Sequence, residues 1–156
     1  MITRINVFDC DGCIVDSSHR YRTLECGTRI DLPYWIANEH RTLEDTLLPL
    51  AEYFQSDILD PTTYTVIATA RIWCNLSRKF AATVLGEPNH VIARRGREDT
   101  RGGAALKIEG VKKLLNLKQF NNVREIHVYE DNINYCRDVS SALGAIGHYY
   151  PSNQGH

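Results

Sequence analysis

Short apolar runs rich in β-branched residues alternate along the chain with longer polar or amphipathic stretches. Five such runs predict buried strands of a parallel sheet, at residues 5–8, 64–68, 90–93, 126–129 and 145–150. Four intervening stretches predict helices, at residues 49–55, 73–85, 104–115 and 132–143. The first of these begins with Pro49, which suits a first helical turn, and Gly86 and Gly144 follow the ends of two others. The alternation predicts a Rossmann-like α/β fold, a parallel sheet flanked by helices.

One segment, residues 17–46, does not follow the alternation. It holds aromatic residues such as Tyr21 and Trp35 among many charges. We interpret it either as a small lid over the strand ends or as a helical connection packed on the sheet. The chain of 156 residues suits one compact domain, so residues 1–156 are predicted to form a single unit.

Acidic and phosphate-compatible residues follow the predicted strands. Ligands bind at the carboxyl ends of the strands in open α/β sheets, so these side chains are expected to share one edge. They are Asp9, Asp11 and Gly12 after the first strand, Thr69, Ala70 and Arg71 after the second, Arg94 and Arg95 after the third, and Glu130 and Asp131 after the fourth.

The overall charge argues against one class of function. The formal net charge of -1 provides no broad basic field for tight, non-specific binding to long nucleic acids. A local basic patch around a phosphate site stays compatible with it.

The cysteines and the apolar runs indicate the compartment. The five cysteines are scattered, without the density of a disulfide scaffold or the repeated pairs of a zinc ribbon; they are Cys10, Cys13, Cys26, Cys74 and Cys136. We recognise no signal peptide and no run long enough to cross a bilayer. Reduced thiols and a cytoplasmic location are expected, with no membrane partner.

The pair Asp9 and Asp11 at a strand end suggests a specific chemistry. Two carboxylates separated by one residue can share a hard cation, one through its side chain and the other through its backbone carbonyl. Asp9 is then placed to attack phosphorus, and Asp11 keeps a carboxyl that can handle the proton of the leaving oxygen. Gly12 permits a sharp departure from the strand. A polar turn after a buried strand is the alternative interpretation.

Four motifs in the chain resemble those of the haloacid dehalogenase (HAD) superfamily. Residues 8–12, Phe-Asp-Cys-Asp-Gly, resemble the first motif, and residues 66–69, Val-Ile-Ala-Thr, the second. Lys107 resembles the lysine of the third motif, and residues 128–131, Val-Tyr-Glu-Asp, resemble the fourth. Each is weak alone, but together they occur in the right order over most of the chain. The resemblance implies a HAD-like phosphatase with no cap or a small cap. Cys13 departs from the usual threonine of the first motif without removing a reacting atom.

The resemblance also implies roles for individual residues. Asp9 resembles the nucleophile that forms an aspartyl-phosphate, and Asp11 the general acid/base. Thr69 and Lys107 resemble the groups that bind the transferred phosphoryl oxygens. The implied cofactor is Mg²⁺, held by Asp9, the main-chain carbonyl of Asp11, and Asp131.

Two of these side chains leave alternatives open. Lys107 can also be interpreted as a solvated surface lysine, in which case Lys112 and Lys113 are the next candidates. Glu130 is expected to accept a hydrogen bond from Lys107 or from a metal-bound water, with direct metal binding as the alternative.

A narrower resemblance concerns the substrate. Residues 16–20, 69–71 and 94–107 resemble the phosphatase domain of phage-type polynucleotide kinase/phosphatases, which remove 3′-phosphates from nucleic-acid ends. The predicted substrate-binding residues are Gly12, Ala70, Arg71, Arg95 and Arg101. The last two are expected to hold a second phosphate, because guanidinium groups pair well with phosphate. A solvated loop is the alternative for these arginines.

The sequence therefore predicts a magnesium-dependent phosphomonoesterase that acts on a nucleotide or a nucleic-acid 3′-phosphate end. One alternative is a phosphatase for small metabolites such as sugar phosphates. Another is a catalytically silent HAD-like binding protein, against which the retention of all the reacting residues argues. No obligate protein partner is evident.

Overall fold

A five-stranded parallel sheet forms the centre of the computed structural model, which describes residues 1–27 and 29–152. Thr28 and residues 153–156 belong to the predicted single domain of 1–156 and lie outside the described residues. The strands are β1 (Arg4–Phe8), β2 (Val15–Asp16), β3 (Thr46–Leu47), β4 (Thr63–Ile72), β5 (His90–Arg94), β6 (Glu125–Glu130) and β7 (Ile146–Tyr149). The order in the sheet is β5-β4-β1-β6-β7, and β2 and β3 form a separate antiparallel pair.

Helices connect the strands of the central sheet. They are α1 (Leu32–Ala37), α2 (Ala51–Asp57), α3 (Asn75–Phe80), α4 (Gly103–Leu115) and α5 (Ile133–Leu143). A π-helical turn, Ala81–Leu85, continues α3, and 3₁₀ turns lie at Ser18–Arg20, Glu39–Glu44 and Lys118–Phe120. Local signals fix the limits of α5, because Asn132 accepts a hydrogen bond from the Tyr135 amide and Gly144 adopts φ 60°.

The predicted α/β fold is confirmed, with a strand or helix at each of the nine predicted places. The largest difference is in β4, which was predicted to end at residue 68 and runs to Ile72. Its pairing with β5 shifts register between Ala68 and Ile72. This irregularity lies where the strand carries Thr69 and Arg71.

Both faces of the sheet are covered, which explains why its strands are continuously apolar. On one face, Phe8 and Ile67 pack with Phe54 of α2 and Phe80 of α3. On the other face, the strands pack against α4 and α5 through residues that include Val7, Val66, Val128, Leu106 and Val139. The two layers leave the carboxyl edge of the sheet open for polar residues.

Two further observations bear on the sequence predictions. The five cysteines are all free thiols. Among the described residues, none of the helices has the length and apolar character that a membrane span requires.

Candidate active site

A cavity of about 640 Å³ opens at the carboxyl edge of the sheet. Its floor includes Asp9 after β1, Thr69 in β4, Arg94 in β5 and Glu130 in β6. Four sequence-distant strands therefore bring their ends to one chamber, as parallel pairing requires.

Lys107 bridges two carboxylates on the floor of this cavity. Its Nζ lies 2.9 Å from Asp9 Oδ1 and 2.6 Å from Glu130 Oε2. The residue is 2% exposed, because α4 lies against the sheet and directs this side chain inward. The structure therefore excludes the surface-lysine interpretation, and Lys112 and Lys113 are exposed.

The charges of this group shift one another's ionisation. Burial opposes charge on both Lys107 and Asp9, yet each stabilises the charged form of the other. The pKa of Asp9 is consequently below its ordinary value and the pKa of Lys107 is above its own. Asp9 is thus held as a carboxylate, the form that can act as a nucleophile.

Three buried carboxylates, those of Asp9, Glu130 and Asp131, can together hold a cation. One oxygen from each lies within 4.8 Å of the others. Asp131 Oδ1 is buried and has no hydrogen-bond partner, and burial together with the charge of Asp9 raises the pKa of Asp131 to about 9. A lone pair without a donor in an acidic group fits a hard divalent ion with oxygen ligands, which is the chemistry of Mg²⁺. The residues present therefore fit the implied metal.

Gly12 makes room for Asp131. It adopts φ +79°, and a Cβ at this position would collide with the Asp131 carboxylate. Ser152 reaches the same group, since its Oγ donates to Asp131 Oδ2 at 2.6 Å. The structure thus places Gly12 against the acidic cluster, whereas the sequence predicted it at the substrate.

Asp11 is held by a buried arginine. Arg71 binds both of its carboxylate oxygens, with Nε 2.9 Å from Oδ2 and Nη2 in contact with Oδ1. Ser17 Oγ donates to Oδ1 at 2.9 Å. Burial raises the pKa of Asp11, but the charge and hydrogen bonds of Arg71 outweigh it, so the pKa is lowered.

Thr69 and Ala70 complete the floor beside Asp9. Thr69 is 1% exposed, and its Oγ1 accepts a hydrogen bond from the Arg71 amide at 3.2 Å. Both residues line the cavity.

The structure does not bring two predicted substrate residues to the cavity wall. Arg101 binds Asp99 at 2.7 Å and Glu109 at 2.9 Å, so its charge is already compensated. Arg95 is exposed, and neither residue lines the cavity. Arg97 lines it from the same loop, and Arg94 holds that loop by donating to the carbonyl oxygens of Asp99 and Arg101.

Several lining residues were not predicted from the sequence as site residues. They are Tyr21, Arg29, Glu39, Asn132 and Tyr135. Tyr135 follows the acidic pair by four residues, and its ring lies 5.6 Å from Lys107 Nζ. Tyr21 also lines the cavity, and burial and the charges of Asp131 and Asp11 raise the pKa of its phenol. The aromatic content of segment 17–46 was the available signal for this wall.

Segment 17–46 supplies apolar and aromatic residues to the wall of the cavity. Its contributions include Tyr21, Leu32, Trp35 and Ile36. Tyr21 meets Trp35 edge to face, with ring centroids 6.1 Å apart. The cavity therefore has a charged floor and an apolar side.

Comparisons with known proteins identify the family and the fold. The model of the family described as bacteriophage T5 5′-deoxynucleotidase matches residues 1–80, which include Asp9, Asp11 and Thr69. A structure of the Pnkp1/Rnl/Hen1 RNA repair complex superposes with a TM-score of 0.64 at 13% identity, over 97% of this chain and 43% of that chain. The chain thus spans less than half the length of that relative.

A second solved structure matches over most of both chains. It is the HAD domain of effector protein Lem4 from Legionella pneumophila, with a TM-score of 0.62 at 14% identity, over 99% of this chain and 88% of that chain. At these identities the two structures establish the HAD fold. No curated protein sequence matches significantly.

Proposed function

Because this chain belongs to the bacteriophage T5 5′-deoxynucleotidase family and is therefore a phosphatase, we propose that it hydrolyses the 5′-phosphate of deoxynucleoside monophosphates through an aspartyl-phosphate on Asp9. The observation that carries the proposal is Lys107, buried between Asp9 and Glu130 beneath a cavity with an apolar wall. A catalytically silent binding protein has no chemical need for this arrangement.

The first step forms a bond between Asp9 and phosphorus. The Asp9 carboxylate attacks, and the bond from phosphorus to the 5′-oxygen of the nucleoside breaks. Lys107 and Thr69 donate hydrogen bonds to the transferred phosphoryl oxygens, since phosphoryl transfer depends chiefly on positioning and on neutralising oxygen charge. Glu130 fixes the Lys107 ammonium in the direction of Asp9.

Asp11 moves the proton in both steps. In its ionised form it accepts a proton from the water that attacks the phosphorus of the aspartyl-phosphate. In the first step the same carboxyl donates a proton to the leaving 5′-oxygen, as reversal of the same transfer requires. Because Arg71 lowers the pKa of Asp11, this carboxyl is ionised at rest and takes up the proton that the bound substrate monoanion carries. Arg71 and Ser17 hold this carboxyl beside the cavity throughout.

A divalent cation is the proposed cofactor. Asp9 and Asp131 would hold it with their carboxylates, together with the main-chain carbonyl of Asp11. When bound, Mg²⁺ supplies positive charge that offsets the repulsion between an anionic nucleophile and an anionic substrate. Glu130 is assigned to Lys107, which it contacts at 2.6 Å.

The nucleoside is assigned to the wall that segment 17–46 provides. A volume of about 640 Å³ is within the range of small-molecule sites and suits a nucleotide. Trp35 and Tyr21 offer aromatic surface to a base, while Arg29 and Glu39 offer polar groups to its edge. We propose that this segment acts as a small cap.

A second candidate substrate is a nucleic-acid end that carries a 3′-phosphate. The observation in its favour is the pair Arg29 and Arg97, which line the cavity and are exposed. Arg29 belongs to the cap segment, and Arg97 belongs to the loop after β5. Their charges can bind the diester next to a terminal phosphate.

A substrate panel with Mg²⁺ distinguishes the two. We expect kcat/KM for 5′-deoxynucleotides to exceed that for sugar phosphates by roughly tenfold or more, since one buried contact to the base is worth 1–3 kcal/mol. A preference for 3′-phosphorylated oligonucleotides that Arg97→Ala abolishes would favour the second candidate.

The variant Asp9→Asn should lose nearly all turnover on every substrate, because uncatalysed hydrolysis of phosphate monoesters is extremely slow. Asp138→Asn removes an exposed carboxylate from α5 and serves as the control that keeps full activity. Retention of more than about a tenth of the rate by Asp9→Asn would contradict the covalent step.

A further inference from the structure

Asp45 is a buried carboxylate outside the reacting group. Its side chain is fully buried, and three basic side chains converge on it. Arg20 binds both oxygens at 2.7 and 2.8 Å, His19 Nε2 lies 2.8 Å from Oδ1, and Arg71 Nη2 lies 3.6 Å from Oδ2. Burying a charge at this depth is costly, so the arrangement is held by its partners.

The partners of Asp45 extend in two directions. Towards the catalytic edge, Arg71 divides its guanidinium between Asp45 and Asp11. Towards the cavity wall, the Arg20 guanidinium stacks over the Trp35 ring, 4.1 Å from its centroid. A continuous set of contacts therefore connects the aromatic wall with the carboxyl that moves the proton.

The positions of Arg20 and Asp45 in the chain connect this set of contacts with the proposed cap. Arg20 lies near the beginning of segment 17–46 and Asp45 near its end, so their ion pair joins the two ends of the proposed cap. Arg71 belongs to β4 in the rigid sheet. A planar guanidinium with fixed donors transmits orientation better than a flexible ammonium does.

Building on the proposed function, we propose that Asp45 is a positioning residue. Through Arg71, Asp45 fixes the Asp11 carboxyl in the orientation needed for proton transfer to the leaving oxygen. Through Arg20, it connects Asp11 with the wall that receives the nucleoside. General acid/base groups lose efficiency when they are displaced by fractions of an ångström, which gives such a residue a catalytic effect at a distance.

The test uses the leaving group. A nucleoside 5′-oxygen is a poor leaving group that needs a proton, whereas 4-nitrophenolate leaves without one. We expect Asp45→Asn to slow the first step, followed as the pre-steady-state release of the leaving group, about 10- to 100-fold for a 5′-deoxynucleotide and less than about threefold for 4-nitrophenyl phosphate. The ratio of the two rates in one preparation does not depend on the fraction of protein that is folded.

Two further variants keep the result interpretable. Glu44→Gln makes the same charge change one residue away, where Glu44 pairs with Arg41 at the surface, and should leave both rates unchanged. Arg20→Lys retains the charge but loses the two-pronged contact with Asp45. It should shift the ratio in the same direction as Asp45→Asn, and it carries the test if that variant does not fold.

Equal slowing of the first step for both substrates by these variants would overturn the inference, because a purely structural role affects release of both leaving groups alike. Asp11→Asn separates the two levels of failure. If it discriminates between the leaving groups and the Asp45 and Arg20 variants do not, only the inference on Asp45 fails. If none of the three discriminates, the proton-transfer role of Asp11 fails as well.

Discussion

Lys107 supplies one positive charge to a buried group that holds three carboxyls, those of Asp9, Glu130 and Asp131. Asp11 does not share it, because Arg71 already compensates that carboxylate. If all three were ionised, the group would carry an excess of negative charge in a poorly solvated place. Protons on Glu130 and Asp131 offset this excess of negative charge. Burial and the charge of Asp9 raise the pKa of Glu130 to about 7, and the pKa of Asp131 is raised as well. A divalent cation would replace these protons.

In protein treated with a chelator, Asp131 should make the stability of the fold depend on pH. Its pKa is raised from 3.8 to about 9, so the folded protein binds more protons than the unfolded chain between these values. Stability from this residue is therefore greatest at low pH and falls as pH rises towards 9. We expect Asp131→Asn to be more stable than the wild type at pH 8, with Tm higher by about 2–4 °C or more, and the difference to vanish below about pH 4.

Magnesium should reverse this order. Binding to the folded state stabilises the wild type by mass action, whereas the variant lacks a ligand and should gain little. Thermal melts with chelator and with Mg²⁺, with Asp138→Asn as the control, measure both effects. Equal magnesium stabilisation of the wild type and Asp131→Asn would contradict the assignment of Asp131 as a metal ligand.

Motif positions were accessible from the sequence because they follow strands directly. Asp9 and Asp131 follow the ends of β1 and β6 as expected, whereas Thr69 lies inside β4, at its shift in register with β5. The partners of Asp11 were not accessible, since Arg71 is sixty residues away and its direction depends on packing. Arg101 and Asp99 are two residues apart in a loop, and they form an ion pair. Hydrophobic periodicity did not predict this pair, because periodicity gives no information about contacts within a loop.

At the element scale, the strands and the longer helices were predictable and segment 17–46 was not. β1 and β6 are buried apolar runs with clear ends, and α4 and α5 have helical periodicity. Helix α1 has only six residues, with Asp31 accepting from the Tyr34 amide at its start. A helix of this length is not stable alone, so its position follows from contacts with the rest of the protein.

Helix α1 is expected to form part of the nucleoside site. Trp35→Ala should raise KM for 5′-deoxynucleotides by roughly 10-fold or more, because base stacking on an aromatic ring is worth about 1–3 kcal/mol. KM for 4-nitrophenyl phosphate should change less. Steady-state kinetics on the two substrates make the comparison.

Tyr34 provides the matched control on the same helix. It is the neighbouring aromatic residue, it stacks with Arg22 at 4.1 Å, and it does not line the cavity. Tyr34→Ala should leave both KM values near those of the wild type. A similar rise in KM from both variants would indicate that α1 contributes through folding alone.

The topology of the sheet explains why Asp9 and Asp131, which are far apart in the sequence, lie close together in the fold. Parallel strands in the order β5-β4-β1-β6-β7 put every carboxyl end at one edge, with β1 in the centre and its neighbours β4 and β6 on either side. Thr69 on β4 and Glu130 on β6 therefore flank Asp9. The alternation of strands and helices in the sequence predicts this gathering, whereas the depth of the cavity depends on how segment 17–46 lies over the edge.

The proposed mechanism requires that Asp9 carries the phosphoryl group during turnover. The most direct measurement is to trap the enzyme with borohydride during turnover of a 5′-deoxynucleotide, because borohydride reduces an acyl phosphate but leaves a free carboxylate intact. Peptide mass spectrometry should then show homoserine in place of Asp9 when substrate is present, and aspartate when substrate is omitted. Rapid turnover with Asp9 unmodified, or homoserine at another position, would contradict an aspartyl-phosphate on Asp9.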